Sequence, residues 1–474
     1  MLHIMTVQVQ ILGLTLLVYG CHYGMAQEMS AEATDFYDRM QETFQAFFND
    51  QNESTAVWVG VSDPLYGEFF WVYGNASATS PGSTPPNVPA TLDQHFDIGS
   101  ISKTFCGVVV MLFTEQNVLS LSDTVGSLVP DFAEQFPQYE AYQLEDLLRM
   151  DTVVADVINV PAGGVMPVLE DNPSVRLSIE ELVTIATHLP PTNVTGYSST
   201  NILVAEYIVE FVTGKTMQEL VQELILTPLG LNNTAMPARD SVGIRPEPAA
   251  TPYLGFDCAA DLMTIGMSNT TARVGSDITE FSQAVVQFGS AGSFTSTIGD
   301  LLHWAQSGTG DSLLSNPMLE KRHMYKNPIS DLQTYGITQY IFNPETFAGT
   351  GFEGWYGHDG STFGFSTTAL KNDGLGGAAM AVGANSCSFA LYAFGLLNAY
   401  ATELKSRNAL PSEAAATMAS TTGLTNATPT TTPITTEAIS SAASPTASPT
   451  TSLSGILISY LIWTFLVLGW AIAA

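Results

Sequence analysis

Ser100 and Lys103 stand three residues apart at the head of an apolar run, Thr104-Phe-Cys-Gly-Val-Val-Val-Met-Leu-Phe113. On a helix, residues i and i+3 share a face, so this spacing sets a hydroxyl beside an amine. A serine hydroxyl is a weak nucleophile until a base takes its proton. Lysine becomes such a base where burial and cationic surroundings lower its pKa. Thr104, Phe105 and Cys106 leave Lys103 no wide polar face and so supply that burial. The helix start adds positive potential where an oxyanion would form. The chemistry open to this pair is acyl transfer through Ser100. Ser-x-x-Lys alone is a weak signal, expected about once or twice by chance in a chain this long. The plain alternative is a lysine snorkelling from a helix end.

Two further segments carry reactive groups. Gly196-Tyr197-Ser198-Ser199-Thr200-Asn201 leads into a second apolar helix. A tyrosine beside a lysine can relay protons to and from a serine. Trp355-Tyr-Gly-His358-Asp-Gly360-Ser361 places glycines on both sides of a histidine. Such glycines let a strand approach a ligand closely. His358 could then donate to a substrate carboxylate or an oxyanion, although a surface histidine is the simpler reading of the segment alone. The chain has no His-Glu-x-x-His, no clustered His/Cys set and no Gly-x-Ser-x-Gly elbow. Metal hydrolase and α/β-hydrolase chemistry are therefore set aside, and no cofactor is expected.

The elements that must position these groups are partly readable. Ala31 to Phe48 has helical apolar spacing. Ala56–Ser62 and Glu68–Tyr73 read as a hairpin around Asp63, Pro64 and Gly67. Residues 75–92 form a polar, Pro-rich loop, and residues 140–235 look mainly helical. Leu370–Ala384 reads as a strand and Phe389–Leu404 as a closing helix. A hairpin near one chain end and strands near the other predict one sheet built from both ends, with a helical insertion between them.

Taken together, the three segments occur in the order and spacing of the β-lactamase-related serine hydrolases. Phe96-Asp-Ile-Gly-Ser-Ile-Ser-Lys-Thr-Phe105 resembles that family's nucleophile segment. Leu119–Val125, Val129–Phe132, Tyr207–Gly214, Pro228–Thr234 and Ala291–Leu301 resemble its intervening stretches, so the likeness spans most of residues 40–400. The resemblance implies an α+β fold of the β-lactamase/penicillin-binding transpeptidase type: an antiparallel sheet flanked by helices, beside a helical subdomain. It implies Ser100 as acylated nucleophile, with Lys103 and Tyr197 as base and proton relay in either order. It implies an oxyanion hole from the backbone N–H groups of Ser100 and Ser361, with His358, Gly360 and Ser199 lining the substrate side. His358 stands where many members have lysine. Two departures stand out: Ser199 replaces an asparagine that helps hold lysine and substrate amide, and Leu147–Thr152 lacks the usual His-Thr-Ser-Gly continuation. The first favours an esterase-like or otherwise altered specificity over β-lactam turnover.

The rest of the chain bounds where this chemistry would work. Of 474 residues, 45% are apolar and only 12% charged; 14 basic residues face 45 acidic ones, a net charge of −31. Such a surface repels nucleic acid and anionic lipid. It suits calcium or a cationic partner, and equally plain solubility. Residues 1–26 read as a secretory signal peptide ending in Gly24-Met25-Ala26. Residues 27–408 form the catalytic domain, and 409–452 a Ser/Thr/Pro-rich stalk. Residues 453–474 are an apolar tail without a following Lys or Arg, read as a glycosylphosphatidylinositol signal or a transmembrane anchor. Asn52, Asn75, Asn193, Asn232, Asn269 and Asn426 occupy glycosylation sequons. Past the signal, Cys106, Cys258 and Cys387 remain; Cys106 reads as a buried thiol, leaving Cys258–Cys387 as a candidate disulfide. The leading expectation is a secreted or surface-tethered serine hydrolase for a small ester, peptide or amide. The other is an acidic glycosylated matrix or binding protein, as in a mineralised shell, on a retired enzyme fold.

Overall fold

The structure is a computed structural model that describes residues 29–50, 55–77, 88–159, 164–192, 195–241, 245–254, 275–330, 332–343, 345–347, 351–386 and 389–408. The segments read above as signal peptide, stalk and apolar tail lie outside these residues. So do Asn52, Asn193, Asn269, Asn426, Cys258 and Cys387. Among the described residues, no helix is long and apolar enough to cross a membrane. The chain divides into two compact units at Ala46/Phe47. In the first, Ala33, Phe36, Met40 and Phe44 recur at helical spacing along the helix Ala31–Asp50 and are buried.

Among its described residues, the second unit holds twelve strands: β1 Val57–Asp63, β2 Gly67–Tyr73, β3 Asn75–Ser77, β4 Val88–Pro89, β5 Phe96–Asp97, β6 Thr295–Ser296, β7 Asn327–Pro328, β8 Gln333–Tyr335, β9 Tyr340–Phe342, β10 Tyr356–Thr362, β11 Phe365–Asn372 and β12 Ala378–Ala384. Eight of them form one sheet in the order β2-β1-β12-β11-β10-β9-β8-β7. Neighbours run antiparallel throughout. The expected hairpin closes with Asp63 opposite Gly67. The Asp63 carboxylate caps the turn by accepting from the Leu65 and Tyr66 amides at 3.0 and 3.1 Å. β1 then pairs with β12, Val57 opposite Ala384, so the sheet does join both ends of the domain.

Residues 370–384 are not one strand, as read above, but the end of β11, a reversal, and β12. Both strands are buried on nearly every residue, so they read as one apolar run. The reversal is made by Asp373-Gly-Leu-Gly-Gly377, with Asn372 Oδ1 accepting from the Leu375 amide at 3.2 Å.

Helices cover both faces of the sheet. Ile298–Gln306 lies against β1, β11 and β12. The C-terminal helix Phe389–Asn408 packs Ala393, Phe394 and Leu397 over Thr368 and Leu370. It is tied to the hairpin turn through Asp63, which accepts from Arg407 Nη1 at 3.0 Å and Tyr400 Oη at 3.2 Å. Between β5 and β6 lies the helical insertion, including Leu144–Leu148, Ile179–Thr187 and the buried helix Ser199–Thr213.

Candidate active site

The nucleophile segment is clamped from two sides. β5 pairs with β6, the Ile98 amide donates to Phe294 O at 2.9 Å, and the Phe294 amide donates to Ser102 Oγ at 3.1 Å. On β5 itself, the buried Asp97 carboxylate receives Arg245 Nη1 at 2.8 and 2.9 Å and Ser282 Oγ at 2.8 Å. The chain then turns through a 3-10 segment, Gly99–Ile101, into the helix Ser102–Glu115. Gly99 sits at φ +51°, and a Cβ there would lie 2.7 Å from the Ser361 amide nitrogen. A Cβ on Gly360 would lie 2.0 Å from Ile98 O. Two glycines thus let β10 press backbone to backbone against the turn that carries Ser100. Thr367 Oγ1 donates to Ile98 O at 3.0 Å and closes the contact.

Lys103 has no exposed surface, whereas Ser100 above it is partly exposed. Lys103 Nζ lies 2.8 Å from Ser100 Oγ and 2.5 Å from Ala291 O. Burial lowers the Lys103 pKa to about 8, against opposing pulls from Asp156 and Asp359. The Nζ also stands 5.0 Å above the Tyr197 ring.

Tyr197 is positioned by the residues that follow it. Thr200 Oγ1 donates to Ala155 O at 2.8 Å and accepts from the Val157 amide at 2.9 Å. Asn201 Oδ1 accepts from Thr152 Oγ1 at 2.9 Å. These bonds lock the start of the helix Ser199–Thr213 onto loop 152–157, which contains Asp156. The Tyr197 hydroxyl is within hydrogen-bonding reach of Ser100. Its pKa stands well above the ordinary value, mainly through burial, with Tyr335 adding to the effect. Tyr197 therefore stays a neutral hydroxyl and can pass a proton, while Lys103 is the group able to act as base near neutral pH.

His358 differs from its sequence reading. It is buried rather than at the surface, and both ring nitrogens are engaged. Nδ1 donates to Asp359 O at 2.5 Å and Nε2 accepts from Tyr335 Oη at 2.7 Å. This pairing selects the neutral Nδ1–H tautomer. Burial, aided by the charge of Lys103, pushes its pKa down to about 3. A neutral imidazole with its one N–H committed has no donor left for a substrate carboxylate or oxyanion. Ser361, three residues on, is exposed, and its amide faces the Ser100 turn. β9 covers the outer edge of β10 only at Tyr356 and Gly357. Among the described strands, His358–Thr362 is thus an open edge beside the nucleophile.

Ser199 is buried as the first residue of its helix, and the hydrogen bonds of Lys103 Nζ go to Ser100 and Ala291. The atypical wall at 147–152 is built by Arg149 and Met150. Arg149 binds Glu145 Oε1 at 2.6 Å and the carbonyls of Lys321 and Met324 at 2.5 Å each. Met150, at φ +59°, turns its thioether to the Ser198 amide at 3.4 Å. Cys106 is a buried free thiol, its pKa pushed far up by burial. Asn75 is half-buried and Asn232 exposed.

Sequence reasoning missed three contributors: the Ala291 carbonyl, Tyr335, and Glu206 with its partner Arg239. Only Glu206 leaves a local trace, an acid inside the apolar stretch Asn201-Ile-Leu-Val-Ala-Glu-Tyr-Ile-Val209.

An antiparallel sheet whose β10 backs a Ser-x-x-Lys helix start, with a tyrosine from the helical insertion over the lysine, is the arrangement expected of the β-lactamase fold. Residues 63–398 match the β-lactamase family model, and the chain belongs to that family. Penicillin-binding protein 4 of Amycolatopsis lactamdurans is 24% identical over 175 residues, 34% of this chain; the matched part spans 44% of that relative's length. Among solved structures, a D-stereospecific amidohydrolase from Streptomyces sp. aligns with a TM-score of 0.57 at 19% identity, covering 73% of this chain and 94% of that one. The D-amino acid amidase of Ochrobactrum anthropi SV3, complexed with L-phenylalanine amide, aligns with a TM-score of 0.57 at 17% identity, over 78% and 99%. The penicillin-binding protein of Bacillus halodurans gives 0.57 at 18%, over 75% and 98%. At these identities the structural likeness shows the fold.

Proposed function

We propose that this chain is an extracellular amidohydrolase or esterase that cleaves a small amide or ester through an acyl-enzyme at Ser100. The observation that carries the reading is the 2.8 Å contact between a partly exposed Ser100 Oγ and a fully buried Lys103 Nζ. Neutral Lys103 takes the Ser100 proton as Oγ attacks the acyl carbon. The carbonyl oxygen becomes an oxyanion facing the Ser100 and Ser361 amides. Collapse breaks the bond to the leaving amine or alcohol, which receives the Lys103 proton through the Tyr197 hydroxyl. Water then attacks the ester, giving its proton to Lys103, and the acid leaves as Ser100 is reprotonated.

The charge around the site favours substrates without a carboxylate. Where many members carry lysine, His358 is neutral with both nitrogens occupied. Asp156 and Asp359 both act electrostatically on Lys103. The Ochrobactrum amidase is complexed with L-phenylalanine amide as well as with phenylalanine itself, so phenylalanine amide is a suitable probe. The expected result is a higher kcat/KM for phenylalanine amide, in its D or L form, than for the same amide with a carboxylate replacing the ammonium. A preference for the carboxylated compound would overturn this charge reading.

The cellular place follows from the signal-like start, the sequons and the apolar tail. Asn232, exposed ahead of Asn233 and Thr234, is accessible to glycosylation. Phosphatidylinositol-specific phospholipase C is expected to release the glycosylated protein from cells expressing the full chain. Retention on the membrane would favour a spanning anchor, and protein found only inside the cell would refute the extracellular placement.

A further inference from the structure

The helix Ser199–Thr213 carries one group that the reaction scheme leaves unused. Glu206 has no exposed surface, yet its carboxylate is fully committed. Oε2 accepts from the Ser290 amide at 2.7 Å and from Ser290 Oγ at 2.5 Å. Oε1 pairs with Arg239 Nη2, and Arg239 Nη1 donates to Gln287 O. An acid taken into the core at this desolvation cost needs each of these partners. Together they grip one short turn, Gln287–Ala291.

The turn is bent where the carboxylate meets it. Gly289 has φ +48° and ψ −135°, and a Cβ there would lie 2.5 Å from Glu206 Oε2. The residue after Ser290 is Ala291, whose carbonyl accepts from Lys103 Nζ. Beyond it, Phe294 is bonded to Ser102 and Ile98 on the nucleophile segment. Segment 289–294 is therefore strung between Glu206 and the start of the nucleophile helix. A neutral lysine amine has one lone pair. With one N–H directed at Ala291 O, that lone pair can be aimed at the Ser100 hydroxyl.

We infer that Glu206 is a positioning residue for the general base: by holding the Ser290 peptide and hydroxyl it fixes the Ala291 carbonyl, which orients Lys103 toward Ser100. One helix then sets both proton-transfer groups, since Tyr197 stands two residues ahead of its first residue and Glu206 lies two turns inside it. Other charged and titratable groups near this device are Glu210 and Cys106 beside Glu206, and Asp156, Asp359, Tyr197 and His358 around Lys103. The contacts that join Glu206 to Lys103 run through the Ser290–Ala291 peptide. The inference rests on the serine hydrolase reading above.

The test is a mutant cycle read by fluorophosphonate labelling of Ser100, with the limiting rate and the half-saturating concentration measured separately. Glu206→Gln offers one acceptor oxygen where the carboxylate has two, so Ser290 and Arg239 cannot both be satisfied. It is expected to lower the limiting rate about 10- to 100-fold with unchanged half-saturation. In a Lys103→Met background the same change should have almost no further effect, because the group it orients is gone. Ser290→Ala removes one hydrogen bond and no charge; it should show a smaller loss with the same dependence on Lys103, and it serves if Glu206→Gln does not fold. An equal loss with and without Lys103, or no loss, overturns the inference. Absence of labelling in the unmodified protein would instead refute the acyl-enzyme reading itself.

Discussion

Replacing Ser100 with alanine should abolish fluorophosphonate labelling and lower amide or ester hydrolysis by about four orders of magnitude or more. The Oγ is the atom that forms the acyl bond, and no neighbouring hydroxyl is placed to replace it. Ser102 Oγ is committed to the Phe294 amide, and Ser198 Oγ donates to Ala155 O at 3.3 Å. Ser100 is partly exposed and its Oγ meets the two groups proposed to move its proton, Lys103 Nζ and the Tyr197 hydroxyl, so the fold should tolerate the change. Circular dichroism and the thermal midpoint should stay close to those of the unmodified protein. Labelling that persists in a folded Ser100→Ala variant would refute Ser100 as the nucleophile and return weight to a binding role on a retired fold.

Lys103→Met should produce the second-largest loss, about 100- to 10,000-fold in the limiting labelling rate, because general-base catalysis is typically worth that much. The pH dependence supplies a sharper signature. Only neutral Lys103 can take the Ser100 proton, and its pKa is about 8. The unmodified enzyme should therefore speed up as pH rises through about 8 and level off above it, while Lys103→Met should lack that step.

The same substitution should preserve or raise stability although it lowers the rate. A lysine whose folded pKa lies below its ordinary value of 10.5 binds protons more weakly in the native state than in the unfolded chain. Between about 8 and 10.5 the unfolded state holds more protons, so stability rises with pH across that window. Below pH 8 the whole penalty is present, on the order of 3 kcal/mol. Methionine removes it, offset in part by about 1 kcal/mol for the Ala291 carbonyl left without its donor. Lys103→Met is thus expected to melt at or above the temperature of the unmodified protein at pH 7, and to lose the gain in stability between pH 8 and 10.5. A lower melting temperature at pH 7 would mean that Lys103 contributes more to holding the turn than its burial costs.

Local pattern picked out the groups that the structure brings together around Ser100, because neighbouring residues on one turn leave local signatures. Ser100 and Lys103 are neighbours on one helical turn, and the N-terminal hairpin is set by its own turn residues and alternating apolar positions. Tyr197 and the His358-Asp359-Gly360 strand were recognisable by their order along the chain. The failures fall where the deciding contact is distant. His358 reads as a donor on its own segment, yet Tyr335, on a strand 23 residues earlier, takes its free nitrogen. Residues 370–384 read as one strand because both halves are apolar, and the pairing of β12 with β1 splits them.

The amino-acid sequence alone determined that a serine, a lysine and a tyrosine with this spacing can run acyl transfer on a sheet joined from both ends of the domain. In the proposed mechanism, tertiary structure decides which of them serves as the base. Burial lowers the Lys103 pKa and raises that of Tyr197, and burial depends on what the rest of the chain packs around them. It also decided where Lys103 points: that depends on the Ala291 carbonyl, 188 residues away, held in turn by Glu206. A backbone carbonyl belongs to every residue, so no residue type could have marked Ala291 before the fold brought it to Lys103.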